Sequence, residues 1–170
     1  MYTAEFSKTR HDNCPVHYIY PNDVPEQANQ FEFVLIYKNG SLVHQPGIYL
    51  NYHGLPFRQI EFWKKFIVIG IEDIFILFNM ISGLQVVNKC PGYFGRIDLN
   101  NENIYISTAS NIICYNDKPA LRWVSDTVAI DGIIIDKIDN KIIKGSGQCD
   151  PPDGWRDFKI SDITGKITED

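Results

Sequence analysis

Residues 66–87 read FIVIGIEDIFILFNMISGLQVV, and residues 103–124 read NIYISTASNIICYNDKPALRWV. The two segments align without a gap at an offset of 37, the difference between 103 and 66, with Ile67 opposite Ile104, Ile69 opposite Ile106, Asn79 opposite Asn116, Leu84 opposite Leu121 and Val87 opposite Val124. The shared pattern says more than the identities. Each copy is an apolar run, a polar break, a second apolar run, a turn containing Asn, and a third apolar run. The runs are strand-length, and their isoleucine, valine and aromatic side chains suit a pleated, half-buried surface.

Working outward, a third copy is anchored on FKISDITGK at 158–166, where Thr164-Gly165 stands opposite Ser82-Gly83 and Asp162 opposite Met80 and Asp117. Its spacing from the second copy is then 45 rather than 37, and the extra residues are expected in GSGQCDPPDG at 145–154, a loop by its glycines and prolines. One more short β segment precedes each copy, at 60–63, 95–99 and 132–136, followed by turn residues Lys64-Lys65, Asn100-Asn101-Glu102 and Asp139-Asn140. The unit is thus about four short strands at a period of roughly forty residues, the period of propeller blades. Such units bury their faces only by stacking. The expected fold is all-β, an incomplete or open propeller-like array of about three four-stranded antiparallel units plus N-terminal strands.

Upstream, FEFVLIY at 31–37 runs into Lys38-Asn39-Gly40-Ser41, and Asn-Gly supplies the two positive-φ positions of a tight hairpin turn into Leu42-Val43. A short strand is expected at 49–52, ending in the turn His53-Gly54-Leu55-Pro56. Pro15, Pro21 and Pro25 keep long helices and central strands out of residues 1–30, which read as an extended lead-in. The whole of 1–170 is expected as a single domain: lead-in 1–30, hairpin and strand 31–57, three repeats 58–168.

The ending Ser161-Asp162-Ile163-Thr164-Gly165-Lys166, with Trp123 in the second copy, resembles the propeller repeats of the pyrroloquinoline-quinone type, which close on an aspartate, a Thr-Gly turn and a tryptophan packed between blades. The first copy keeps only Ser82-Gly83, and the second has Pro119-Ala120 in that place. The resemblance covers about 60–168 and implies a fold but no quinone. The segment Asp150-Pro151-Pro152-Asp153-Gly154-Trp155 also resembles a loop of small bacterial proteins, some encoded beside secreted toxins.

Composition bounds the function. The 170 residues are 44% hydrophobic and 22% charged, a balance that supports a packed core without disulfides or metal. A net charge of -5 provides no basic field for phosphates, which argues against nucleic acid and anionic membranes as partners and points to a basic protein. Cys14, Cys90, Cys114 and Cys149 are scattered, with no CxxC pair, and residues 1–12 lack the apolar core of a secretory signal, so a cytoplasmic protein with reduced thiols is expected.

Four groups of residues invite a chemical reading. His11, Cys14 and His17 have the spacing H-x-x-C-x-x-H and could supply three zinc ligands or a thiol with a histidine base, but no fourth ligand is near, and Pro15 removes the backbone donor after the cysteine. No metal or cofactor is expected. Asp98, Asn100 and Glu102 resemble the start of a calcium loop that fails at Asn103 and Ala109, where glycine and glutamate are needed. Trp63, Tyr93, Phe94 and Trp123 read as packing between repeats more readily than as a stacking platform. Asp150, Asp153, Trp155 and Asp157 place carboxylates beside an aromatic in the inserted loop, where repeat proteins put binding function.

With no catalytic constellation, these readings favour a protein-interaction module with an immunity or antitoxin-like role, binding a basic partner through 150–158. The alternatives are a lyase or hydrolase using carboxylates and His44 or His53, and a structural subunit that completes its propeller as a homodimer.

Overall fold

The computed structural model describes residues 1–20, 31–50, 57–150 and 154–168. The described residues are all-β with fifteen strands, and they fall into two compact units, 1–55 and 56–170. None of them forms a helix long and apolar enough to cross a membrane.

The N-terminal unit holds one sheet of four strands: β1 (Tyr2–Ser7), β2 (Val16–Ile19), β3 (Phe31–Lys38) and β4 (Ser41–Tyr49), in the order β1-β3-β4-β2. Asn39 and Gly40 take φ values of 51° and 83°, so the expected Asn-Gly hairpin between β3 and β4 is present. The described part of the lead-in, residues 1–20, forms two strands. β1 pairs antiparallel with β3, and β2 pairs parallel with β4, both as edge strands that need partners on one side only. Tyr49 closes β4 instead of opening a separate strand, because pairing with Phe31 carries the hairpin that far. Pro21, Pro25 and the expected turn at 53–56 lie outside the described residues.

The second unit is the repeat. Its first sheet has β5 (Arg58–Trp63), β6 (Phe66–Ile71), β7 (Ile74–Asn79) and β8 (Gln85–Lys89). Its second has β9 (Phe94–Leu99), β10 (Asn103–Thr108), β11 (Ile112–Asn116) and β12 (Leu121–Val124). The third has β13 (Ile133–Asp139), β14 (Ile142–Gln148) and β15 (Trp155–Ser161), with Ile167 bridging to Ile160 as the beginning of a fourth position. All pair antiparallel in chain order, an open propeller-like array.

The repeat alignment is visible in the register. Phe66 pairs with Asn79, Asn103 with Asn116 and Ile142 with Ser161, so the first two hairpins are offset by 37 at both ends. In the third sheet the offset from the second is 39 at Ile142 and 45 at Ser161, which puts six of the extra residues in the β14–β15 connection. The turns after β7, β11 and β15 are built alike. Asn79 Oδ1 accepts from the backbone of Ile81 and Ser82, Asn116 Oδ1 from Lys118 and Ala120, and Ser161 Oγ from Ile163. Gly83 and Gly165 share φ 70°, a left-handed conformation that glycine adopts without steric cost.

Alternation decides which faces stack. Phe66, Val68, Phe75 and Leu77 meet Ile97, Ile104, Ile106, Ile113 and Tyr115 in one core, while the opposite face of the second sheet, Tyr105, Ile112, Cys114 and Trp123, meets Ile133, Ile135, Ile143 and Ile160 in another. Both cores are isoleucine-rich, and at about 25 cal/mol per Å² of apolar area they are the main source of stability. The first strands β5, β9 and β13 approach one another along the inner side of the array. Gln59 joins two of them, donating to Ile97 O at 3.1 Å and accepting from Ile97 N at 2.9 Å. Trp63 donates to Asn100 O at 2.7 Å, and Trp123 to Asp162 O at 2.8 Å.

The third sheet ends the stack differently. Its outer face carries Ile134, Asp136, Lys144, Ser146, Gln148, Trp155, Asp157 and Lys159, none of them buried and most of them polar. A polar outer face is how repeat arrays cap their ends.

Candidate functional site

Where the inner strands begin, the repeat places equivalent residues side by side. Phe57 and Tyr93 immediately precede β5 and β9, and Gly132 immediately precedes β13. The two aromatic rings stack, with centroids 5.6 Å apart and an interplanar angle of 17°. In the third repeat the position is a glycine with φ 118°, and the room it leaves is shared. A Cβ there would lie 3.5 Å from Tyr93 Oη and 3.8 Å from Trp155 Cη2. Trp155, the first residue of β15, reaches this corner from the outer face of the third sheet, paired with Gln148.

These residues border a groove of about 670 Å³, completed by Gln59, Gly95, Arg96, Asp131, Ile133, Ile134 and Gln148. Its aromatic walls are open: Phe57 is 46% and Trp155 49% exposed. The polar groups are held in place. Tyr93 Oη donates to Asp131 Oδ1 at 2.8 Å, and burial, that hydrogen bond and the carboxylate's charge push the phenol up to about 12, so Tyr93 is a neutral donor. Arg96 lies 3.1 Å from Asp98 Oδ1. Deeper along the inner strands, burial raises the Asp98 carboxyl, Arg96 opposes the shift and Glu61 adds to it. Asp98 Oδ2 is buried without a hydrogen-bond partner.

Of the loop residues singled out by sequence, Trp155 belongs to this groove. Asp157 stands on the same outer face, opposite Ser146. Asp150 is exposed beyond the end of β14, and Asp153 lies outside the described residues. Phe57, Arg96 and Asp131 carried no sequence signal of their own, yet the repeat contained one: Phe57 and Tyr93 are 36 residues apart, the same spacing as Arg58 and Phe94 at the starts of β5 and β9. Trp63, Phe94 and Trp123 are buried and pack between sheets, as expected. Tyr93 departs from that reading because it precedes its strand and faces the groove.

The other chemical readings find their places too. In the N-terminal unit Gln45, fully buried, binds the backbone of His11 and Cys14 with its side-chain amide and so holds the 11–14 turn. Cys14 is buried, and burial raises its thiol, the opposite of what a nucleophile or metal ligand needs. His17 sits 6.0 Å from His44, ring to ring, and among the described residues no three His, Cys, Asp or Glu side chains converge as metal ligands. His44 belongs to this unit and not to the repeat, and His53 is outside the described residues. Asn100 Oδ1 accepts from the backbone of Glu102 and Asn103, which makes the calcium-like stretch a hairpin turn. Cys90 and Cys114 are each pushed up to about 12, chiefly by burial, and all four cysteines are free.

A scan against protein-family models finds none that matches this chain, and a search of the curated proteins finds no match either.

Proposed function

We propose that the chain is a protein-interaction module that holds a partner in the groove of Phe57, Tyr93 and Trp155, with an immunity or antitoxin-like role in the bacterial cytoplasm as its most concrete form. The observation behind this reading is the groove itself: Phe57 and Tyr93, brought together by equivalent positions of consecutive repeats, line it together with Trp155. Aromatic side chains carry large contact area at low entropic cost, and interfaces concentrate their binding energy on them. Four free cysteines suit a reducing compartment. The packing of Trp123 on Gly165, where an added Cβ would come within 2.6 Å of the indole, is in keeping with a propeller-repeat ancestry.

The test is affinity capture from the native lysate with the tagged chain and its Trp155→Ala variant. A stoichiometric partner that the variant loses, with thermal unfolding still cooperative, supports the module; equal capture by both proteins removes Trp155 from the site.

One observation favours a second reading, a hydrolase or lyase. Glu61 lies on the inner strand beside that of Asp98, whose carboxyl is raised by burial and by the Glu61 charge, and a raised carboxyl serves as a general acid. Turnover abolished by Asp98→Asn would establish it. Completion of the array by a second copy is the third reading, and the polar outer face of the third sheet gives such a copy little apolar area to cover.

A further inference from the structure

We propose that the groove recognises a cationic side chain, lysine or arginine, on a basic segment of the partner protein; this rests on the interaction reading above and names what the site takes. Phe57, Tyr93 and Trp155 line its walls, and aromatic rings attract cations that lie over them. A carboxylate stands at the rim. Asp131 is fixed by the Tyr93 hydroxyl through one oxygen, Oδ1, so it is oriented before any ligand arrives. Tyr93 stays protonated at neutral pH and so adds no charge of its own.

Among the described residues that line the groove Arg96 is the one cation, and it is engaged 3.1 Å from Asp98 Oδ1. Asp98 thus offsets the Arg96 charge, and Asp131 is the other charged residue among the described lining, within a chain of net charge -5. An anionic ligand would have to overcome that field, whereas a basic segment is drawn to it. The volume of about 670 Å³ is ample for one extended arginine side chain with its flanking backbone.

The experiment uses the full chain labelled with ¹⁵N and follows the indole N–H of Trp155, assigned by its loss in Trp155→Phe. Two synthetic peptides of equal length on a Gly-Ser background serve as probes, one with four arginines and one with four glutamates; methyl glucoside is the third probe. The arginine peptide is expected to shift the Trp155 signal with an affinity that falls roughly tenfold in Asp131→Asn and in Phe57→Ala, and that weakens as salt is raised toward about 1 M, where screening is nearly complete. The amide spectrum of each variant reports its fold. An arginine peptide that leaves Trp155 unmoved, or that binds Asp131→Asn as well as the parent, overturns the proposal, as does a stronger response to the glutamate peptide or to the glucoside. A lysate partner that depends on Trp155 but docks through an acidic or neutral segment would overturn the cation reading alone and leave the interaction module standing.

Discussion

At the scale of single residues, the glycines separate two physical demands. Gly40 needs its conformation: φ is 83° and nothing lies within 4 Å of where a Cβ would go. Gly70 needs its missing side chain, because a Cβ there would come within 2.1 Å of the fully buried Phe94 ring. Gly40→Ala is therefore expected to cost about 1 kcal/mol through backbone strain alone. Gly70→Ala should cost more, about 1–3 kcal/mol of overpacking, since Phe94 has no space into which to turn. Urea denaturation of the two variants checks this, and equal midpoints would show that the Phe94 contact is soft. The Asn39-Gly40 turn was legible in the sequence because its cause is local. The Gly70–Phe94 contact was not, because it joins residues of adjacent sheets.

At the scale of elements, sheets are joined by polar groups as much as by the isoleucine cores. Tyr105, wholly buried on β10, donates to Asp162 Oδ1 at 2.6 Å and receives the side-chain amides of Asn100 at 2.8 Å and Asn103 at 3.0 Å. The same Asp162 accepts the Trp123 indole through its backbone carbonyl. Removing one hydroxyl thus strips partners from three side chains at the junction of the second and third sheets. Tyr105→Phe is expected to lower stability by about 1–3 kcal/mol, the cost of leaving buried polar groups unpaired. A denaturation midpoint unchanged from the parent would mean that water replaces the phenol without cost. Asp162 had been noted in the sequence for its place in the repeat ending, where it matched Met80 and Asp117. Its partner Tyr105 was out of reach, since 57 residues separate them.

At the scale of the whole molecule, the third sheet closes the array on a polar face. Lys144 and Asp157 lie there beside Ile134 and Trp155, which are 41% and 49% exposed. Replacing Lys144 and Asp157 together by isoleucine would join these into one apolar patch, and contiguous exposed apolar surface drives association. Sedimentation velocity should then show concentration-dependent self-association in the double variant and none in the parent. Association of the parent through the same face would restore the dimeric reading of the array.

The sequence by itself determined the strands, the tight turns and the roughly forty-residue repeat, because each rests on interactions within a few residues: alternation on a pleat, positive φ at Asn-Gly, Asn side chains bonding their own turns. Only the tertiary structure decided that β1 and β2 join the N-terminal sheet, that the third sheet presents a polar end, and that Phe57, Tyr93, Asp131 and Trp155 share one groove. Those outcomes depend on which strand edges pair and how successive sheets are rotated, and both are set by packing among residues distant in the chain, where no local pattern reports them.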